Sequence, residues 1–279
     1  MQYKALSIAG FDGSGGAGIQ ADLKTFSALG CYGMTVLTAL PVQNTCGVRQ
    51  CYPIPLQAIE DQLNAIFDDI EPDSIKIGML FTMEIIELVS SILKKRASSI
   101  PIVLDPVMVA KSGHPLLLES AVEAMITELI PLATLVTPNL PEASVLTGIV
   151  HASSERDMIE IGQRILDFGS KYVLLKGGHL VENPNSNDLL IGTKGETHWL
   201  ESRRIYSKNT HGTGCTLSAA IAAGLAHQVD LLEACRIAKN YLYHAILSAK
   251  NEHMGLGNGP VNHFYHFWPV HFFDLTADT

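Results

Sequence analysis

Six residues, His211-Gly212-Thr213-Gly214-Cys215-Thr216, run straight into the apolar, alanine-rich stretch Leu217 to Ala226. Gly212 and Gly214 let the backbone approach a ligand with no side chain in the way. A helix starting here points unpaired N–H groups, and the positive end of its dipole, at whatever lies in front of it. The segment reads as an anion hole with a thiol planted in it. A glycine turn ahead of a core helix is the other reading. At a helix N-terminus the Cys215 thiol is expected to have a lowered pKa. It then serves as a base toward a hydroxyl, or offers only its backbone N–H to a phosphoryl group. His211 carries no catalytic assignment.

A second glycine-rich turn opens the chain: Gly10-Phe11-Asp12-Gly13-Ser14-Gly15-Gly16-Ala17-Gly18. It holds G-x-G-x-x-G at Gly13, Gly15 and Gly18 between a strand and a helix, the setting of a dinucleotide fingerprint. That fingerprint needs an acid near the end of the second strand to hold a ribose. After Asp22 no Asp or Glu occurs until Glu60, so a nicotinamide oxidoreductase is set aside. No Gly-Lys-Ser or Gly-Lys-Thr follows the glycines, which excludes a Walker A loop.

Asp105 stands at the mouth of the strand Ile102-Val103-Leu104. Asn139 and Glu142 make N-x-x-E just past the next strand. These oxygen donors suit a hydrated Mg²⁺, with Asp105 and Glu142 as its expected ligands. Asn139 with Glu142 equally spells a helix capping box. Lys176 ends an apolar strand and supplies a compact positive charge suited to a phosphate. Lys176, Mg²⁺ near Asp105 and Glu142, and the amides of Gly212 to Cys215 would all face one crowded negative charge. That arrangement fits phosphoryl transfer, which is catalysed mainly by positioning and electrostatics.

Short apolar runs alternate with amphipathic stretches along the chain. Expected strands are Ala5–Ala9, Met34–Ala39, Ser74–Ile77, Ile102–Leu104, Leu135–Thr137 and Tyr172–Leu175. Expected helices include Leu56–Phe67, Met83–Arg96, Ser120–Ile130 and Glu155–Phe168. Such alternation means βαβ units and a mostly parallel sheet with helices on both faces. Asp188–Ile191 and Thr197–Leu200 flank a turn and predict a small antiparallel hairpin at one edge. Two long helices, about Gly214–His227 and Leu231–Lys250, close the pattern. The chemistry-bearing residues fall at the carboxyl ends of the strands, where open α/β sheets bind ligands.

The chain has 279 residues, 47% of them apolar, and a net charge of −9. The absence of a linker or repeat predicts one domain over 1–279, with a core of about 4–268 and an extension at 269–279. An acidic chain is a poor nucleic-acid binder, because neutralising phosphates needs clustered Lys and Arg. Five scattered cysteines with no C-x-x-C pair argue against disulfides and zinc, and for a reducing compartment. The start leads into a strand rather than a signal peptide, and no apolar run reaches a membrane span of roughly 20 residues. A cytoplasmic protein with no membrane partner is expected.

Taken together, Gly10–Thr25, Gln43-Asn44-Thr45, Lys76–Leu80, Asp105–Met108, Ala110–Gly113, Thr137–Ala143, Lys176–His179 and Asn209–Thr216 resemble the hydroxymethylpyrimidine/phosphomethylpyrimidine kinases of thiamine biosynthesis. These belong to the ribokinase-like superfamily. The resemblance runs from about residue 5 to Trp268. It implies an ATP- and Mg²⁺-dependent kinase that phosphorylates 4-amino-5-hydroxymethyl-2-methylpyrimidine, then its monophosphate. It implies Gln43 on the aminopyrimidine edge, with Gly10, Met79 and Val107 lining the pocket and Asp12 near its polar side. Cys215, Lys176, Gly212 and Gly214 would be catalytic, and Thr213 and Asn139 would contact the nucleotide. Cys215 stands where the superfamily's sugar kinases carry an aspartate, which weakens a strong-base mechanism.

Vitamin B6 kinase activity on pyridoxal is the near alternative, and a non-catalytic nucleotide or vitamin binder the remoter one. Phe11 replaces a small hydroxyl residue of the family, and Pro41-Val42 precede Gln43. Lys208–Asn209 and the last two helices are where adenine contacts are expected. Lys111-Ser112-Gly113 is a candidate flap, and a homodimer is compatible with the apolar edge and the aromatic tail.

Overall fold

Apolar runs of two to seven residues, too short for helices, become strands here, and the periodic stretches between them become helices. In the computed structural model, residues 3–108, 116–117, 120–149, 154–180 and 184–267 are described. The candidate flap and the extension at 269–279 lie outside them. The strands are β1 (Tyr3–Ala9), β2 (Cys31–Leu37), β3 (Ala39–Asn44), β4 (Gly47–Pro53), β5 (Ser74–Ile77), β6 (Ile102–Leu104), β7 (Leu135–Val136), β8 (Tyr172–Lys176), β9 (Asp188–Gly192) and β10 (Thr197–Leu200). The helices are α1 (Gly18–Ala28), α2 (Leu56–Phe67), α3 (Met83–Arg96), α4 (Ala121–Ala124), α5 (Leu140–Thr147), α6 (Glu155–Leu166), α7 (Thr213–Ala226) and α8 (Leu231–Ala249).

Eight strands form one sheet in the order β10-β9-β8-β7-β6-β5-β1-β2. From β2 to β8 all neighbours are parallel. β9 and β10 then run antiparallel, as the expected edge hairpin. Side chains alternate across the sheet. Ile102 and Leu104 face the layer that holds α2 and α3, whereas Val103 faces the layer of α1, α7 and α8. Both layers are apolar, so central strands such as β5 are buried at every position.

α7 is the most enclosed helix of its layer. Nine of its residues, among them Ala219, Ala220, Ala222 and Ala223, are buried between the sheet and helices α1 and α8. Small side chains permit that close approach. The aromatic segment beyond α8 docks on it: His263 is buried, and the Tyr265 ring lies 5.7 Å from Tyr241.

Two elements differ from expectation. Ser120–Ile130 is not one helix: α4 passes into a π turn at Met125–Leu129 and a 3-10 turn at Ile130–Leu132. Pro131 has no N–H for a continuing helix, and its ring closes the segment there. The second is a separate hairpin, β3–β4, which no pattern announced. It stands over the carboxyl ends of β1 and β5, packed there through Ala39, Cys51 and Met79.

Candidate active site

The strand order sets the order of groups along the rim: Gly10 after β1, Met79 after β5, Asp105 after β6, Asn139 after β7 and Lys176 ending β8. A cavity of about 660 Å³ opens above them. The hairpin contributes Pro41 and Gln43 at one end; α8 contributes Leu242, Tyr243 and Ile246. Gly10, Met79, Val107, Gln43, Asp105, Asn139, Glu142, Lys176 and Gly212 to Cys215 all line this one space.

The anion loop has the expected local form. Gly212 caps α7 with φ of 79°, a left-handed conformation open to glycine. A Cβ at Gly212 would stand 1.7 Å from the carbonyl oxygen of Gly16, so the two glycine turns touch backbone to backbone. The first helical bond is Thr216 N–H to Gly212 O at 2.8 Å. The N–H groups of Thr213, Gly214 and Cys215 come before any intrahelical acceptor.

Beside this loop sits a charge cluster. Lys176 Nζ donates to Asp105 Oδ1 at 2.9 Å and lies 4.0 Å from Glu142 Oε2. A Cβ at Gly214 would be 3.4 Å from that ammonium, which places the lysine against the first turn of α7. Burial alone would discharge Lys176, but Asp105 and Glu142 hold its pKa above the ordinary value. Glu142 is pushed up to about 7, chiefly by burial and also by the Asp105 charge. Asn139 and Glu142 do form the capping box: Asn139 Oδ1 accepts from Glu142 N at 2.9 Å, and Glu142 Oε2 accepts from Asn139 N at 2.8 Å. Both line the cavity as well as capping the helix.

Three expectations are corrected. Asp12 does not stand at the pocket's polar side: it is fully buried beneath the first glycine turn. Its carboxylate accepts from the N–H groups of Ser14, Gly16 and Ala17 at 3.0, 3.1 and 2.7 Å, and from His211 Nε2 at 2.8 Å. Burial would raise its pKa, but His211, Ser14 and Ala17 together hold it down at about 2. A tight turn with this many inward N–H groups needs an anion of its own.

Cys215 does not have a lowered pKa. Burial pushes the thiol up to about 11, against the opposing pull of Lys76 and a hydrogen bond from the Gly18 N–H; Asp22 and Asp105 add to the rise. Desolvation outweighs the helix end here. Alkylation is expected to follow. Iodoacetamide should modify exposed Cys46 first, and Cys215 slowly at neutral pH, with its rate rising about tenfold per pH unit toward pH 11. Peptide mass mapping over a pH series measures this, and a Cys215 rate that levels off below pH 8 would contradict it.

The third correction concerns Lys208–Asn209, neither of which lines the cavity. Asn209 is buried and its Nδ2 donates to the carbonyls of Ala249 and Glu252, at 2.5 and 2.7 Å. It ties the chain to the end of α8.

Lys76 escaped notice as a site residue. It is fully buried on β5, lines the cavity floor, and pairs with Asp22 of α1 at 2.8 and 3.0 Å. Ser7 Oγ donates to the same carboxylate at 2.5 Å. The available signal was a lysine inside an otherwise apolar strand. Phe11 is placed too: its ring edge lies over Gly13, and its carbonyl accepts from Gln43 Nε2 at 3.2 Å.

A family model described as phosphomethylpyrimidine kinase matches residues 12–262. The chain belongs to the phosphomethylpyrimidine kinase family. It is 48% identical to the hydroxymethylpyrimidine/phosphomethylpyrimidine kinase of Salmonella typhimurium, over 96% of this chain and 99% of that protein. The solved phosphomethylpyrimidine kinase of Clostridium difficile is 44% identical, with a TM-score of 0.77 over 88% of this chain and all of that one. The pyridoxal kinase of Staphylococcus aureus, in complex with AMP-PCP and pyridoxal, superposes with a TM-score of 0.86 at 38% identity, over 96% of this chain and 95% of that one. The fold is therefore ribokinase-like, and the protein is a phosphotransferase of the hydroxymethylpyrimidine kinase type. None of its described helices is long and apolar enough to cross a membrane.

Proposed function

We propose that the protein transfers the γ-phosphoryl group of ATP to the hydroxymethyl oxygen of 4-amino-5-hydroxymethyl-2-methylpyrimidine, and then phosphorylates the resulting monophosphate. The observation that carries this reading is the sharing of one cavity by Gln43 at one end and the Lys176–anion loop pair further along. The Phe11 carbonyl takes one N–H of Gln43, so its Oε1 and second N–H are left for an aminopyrimidine edge. Gly10, Met79 and Val107 pack on the ring.

The new bond forms between the hydroxymethyl oxygen and the γ-phosphorus, and the bond to the β–γ bridging oxygen breaks. Charge builds on the transferring oxygens and on ADP. Lys176 and the N–H groups of Thr213, Gly214 and Cys215 face that charge without reorganising. A loose transition state asks little of a base, and a thiol held near 11 supplies little. The hydroxyl proton leaves late, to a transferred phosphoryl oxygen. Cys215 thus acts through its backbone N–H. Asn139 presents its Nδ2 to the nucleotide phosphates.

The donor set fits Mg²⁺. Asp105 and Glu142 offer oxygen only, and both line the cavity beside Lys176. Asp105 and Glu142 would supply two ligands and leave the remaining positions to waters and phosphate oxygens. When bound, it would neutralise the β- and γ-phosphates.

We also read the chain as one domain, because every site residue belongs to one sheet rim or its flanking elements, and as cytoplasmic, because its five scattered cysteines hold no C-x-x-C pair. It is read as a homodimer through the outer face of the β3–β4 hairpin. Leu40, Val42 and Tyr52 stand exposed there at 37, 46 and 55%.

The testing experiment incubates the protein with ATP, Mg²⁺ and either the pyrimidine alcohol or pyridoxal, with products resolved by mass. A pyrimidine monophosphate followed by a diphosphate is expected. The likeness to a pyridoxal kinase favours pyridoxal as a second substrate. Turnover of pyridoxal alone would overturn the pyrimidine assignment and move attention to Phe11 and Gln43.

A further inference from the structure

Hydrogen bonds close a ring around the substrate end of the cavity, and the ring passes through the anion loop. It begins at the tip of the β3–β4 hairpin. Thr45 Oγ1 accepts from Gly257 N at 3.2 Å, and Thr45 O accepts from Asn258 N at 2.9 Å. The next residue on this strap, Gly259, accepts from His211 N at 3.0 Å. The His211 side chain then reaches Asp12 at 2.8 Å. Since a carboxylate only accepts, Nε2 carries the proton. Asp12 organises the turn that starts at Gly10. That turn returns to the hairpin through Phe11 O and Gln43 Nε2 at 3.2 Å.

The ring is tightly packed. A Cβ at Gly16 would stand 2.5 Å from His211 Cδ2 and 3.0 Å from Pro260 Cβ. A Cβ at Gly257 would collide with the Thr45 carbonyl at 2.0 Å. Glycines at these points let strap, hairpin and both turns meet at backbone distance. His211 is the next residue before Gly212, whose carbonyl starts α7. A shift of the hairpin tip therefore reaches the anion loop through one imidazole and one strap.

We propose that His211 is a positioning residue that couples occupancy of the pyrimidine end to assembly of the anion loop. A substrate held by Gln43 steadies the hairpin tip, the strap and the first glycine turn together. His211 joins the last two, and fixes the direction in which the Gly212 to Cys215 amides face the nucleotide. Coupling of this kind is reciprocal: each ligand tightens the other by the same factor. The inference rests on the assignment of the Gln43 end to the acceptor substrate.

The test is calorimetric binding of a non-hydrolysable ATP analogue with and without the pyrimidine alcohol, repeated with pyridoxal. In the wild type, the alcohol should tighten the analogue by at least about fivefold. In His211→Ala that factor should fall to about one, while each ligand bound alone keeps its affinity within about threefold. His211→Gln, which keeps an N–H donor toward Asp12, should restore most of the factor. Thr45→Val, which removes the hairpin's side-chain acceptor without touching the anion loop, should lower it. Circular dichroism checks that each variant is folded. If His211→Ala does not fold, the Gln and Val variants decide. An unchanged factor in the variants, or no factor in the wild type, overturns the proposal. So does an equal collapse of both single-ligand affinities, which marks a merely structural histidine. If only pyridoxal binds, the substrate assignment fails, and the same factor measured with pyridoxal still decides the role of His211.

Discussion

Lys176→Met is expected to lower kcat by roughly 10²- to 10³-fold, with KM for the pyrimidine alcohol nearly unchanged. The ammonium stands against the first turn of α7, where a Cβ on Gly214 would be 3.4 Å away. In the proposed mechanism its charge acts on a phosphoryl group that is most negative in the transition state. The pyrimidine contacts lie on other strands, toward β1 and β5. The substitution also strips Asp105, which is 2% exposed, of its counter-ion, so some stability is lost with it. Rates must be normalised to folded protein, measured by circular dichroism. A loss of kcat under about fivefold would remove Lys176 from the transferring group. A rise in the KM of the alcohol with kcat intact would put it on the wrong substrate.

The largest effect on stability is expected at Lys76. Both members of the Lys76–Asp22 pair are completely buried, at 2.8 Å. Burial opposes a charged lysine, and Asp22 nevertheless holds the ammonium above its ordinary pKa. Lys76→Met leaves a carboxylate in the interior with only Ser7 beside it. The expected cost is about 3–5 kcal/mol, a large share of the roughly 5–15 kcal/mol a domain has. Removing both charges in Lys76→Met/Asp22→Leu should return most of that. Urea unfolding of the two variants beside the parent reads both numbers. A single variant within about 1 kcal/mol of the parent would mean that Asp22 takes up a proton and that the pair is not ionic.

That pair marks the boundary of what was legible. β5 and β6 were readable to the residue because both of their faces are covered: β6 is a bare apolar run, and β5 pairs two isoleucines with buried Ser74 and Lys76. α2 and α3 were readable because each repeats its apolar residues at helical spacing. The β3–β4 hairpin was not. It packs over the sheet end with Ala39 and Cys51 and turns Leu40, Val42 and Tyr52 outward, so apolar residues fall on both faces and no clean alternation appears. Pro41 in its middle reads as a breaker. Asp105, Glu142, Lys176 and the anion loop were legible as candidates at the cavity because each stands at a strand end or opens a helix, whereas Gln43, inside β3, was reached only through the family resemblance. Asp12 was legible as a polar residue of the first glycine turn but not in its role, since its partner His211 lies 199 positions away. Lys76 and Asp22 are 54 positions apart. Only folding brings these partners together.

The enclosed position of α7 has a consequence for synthesis. The sheet face made by Ala5, Val103, Leu135 and Leu174 packs against α7 and its neighbours α1 and α8. α7 is made roughly two hundred residues after β1. Until then the middle of that face lacks its cover, although the strands that form it already exist. Until α7 arrives the growing chain carries an adhesive, half-built sheet, and holds its first glycine turn without the second one it touches. α7, a helix of small residues, then slides into a slot that fits little else, and α8 follows to cover it. For this protein, becoming competent to grip a phosphate and becoming safe from aggregation are the same late event.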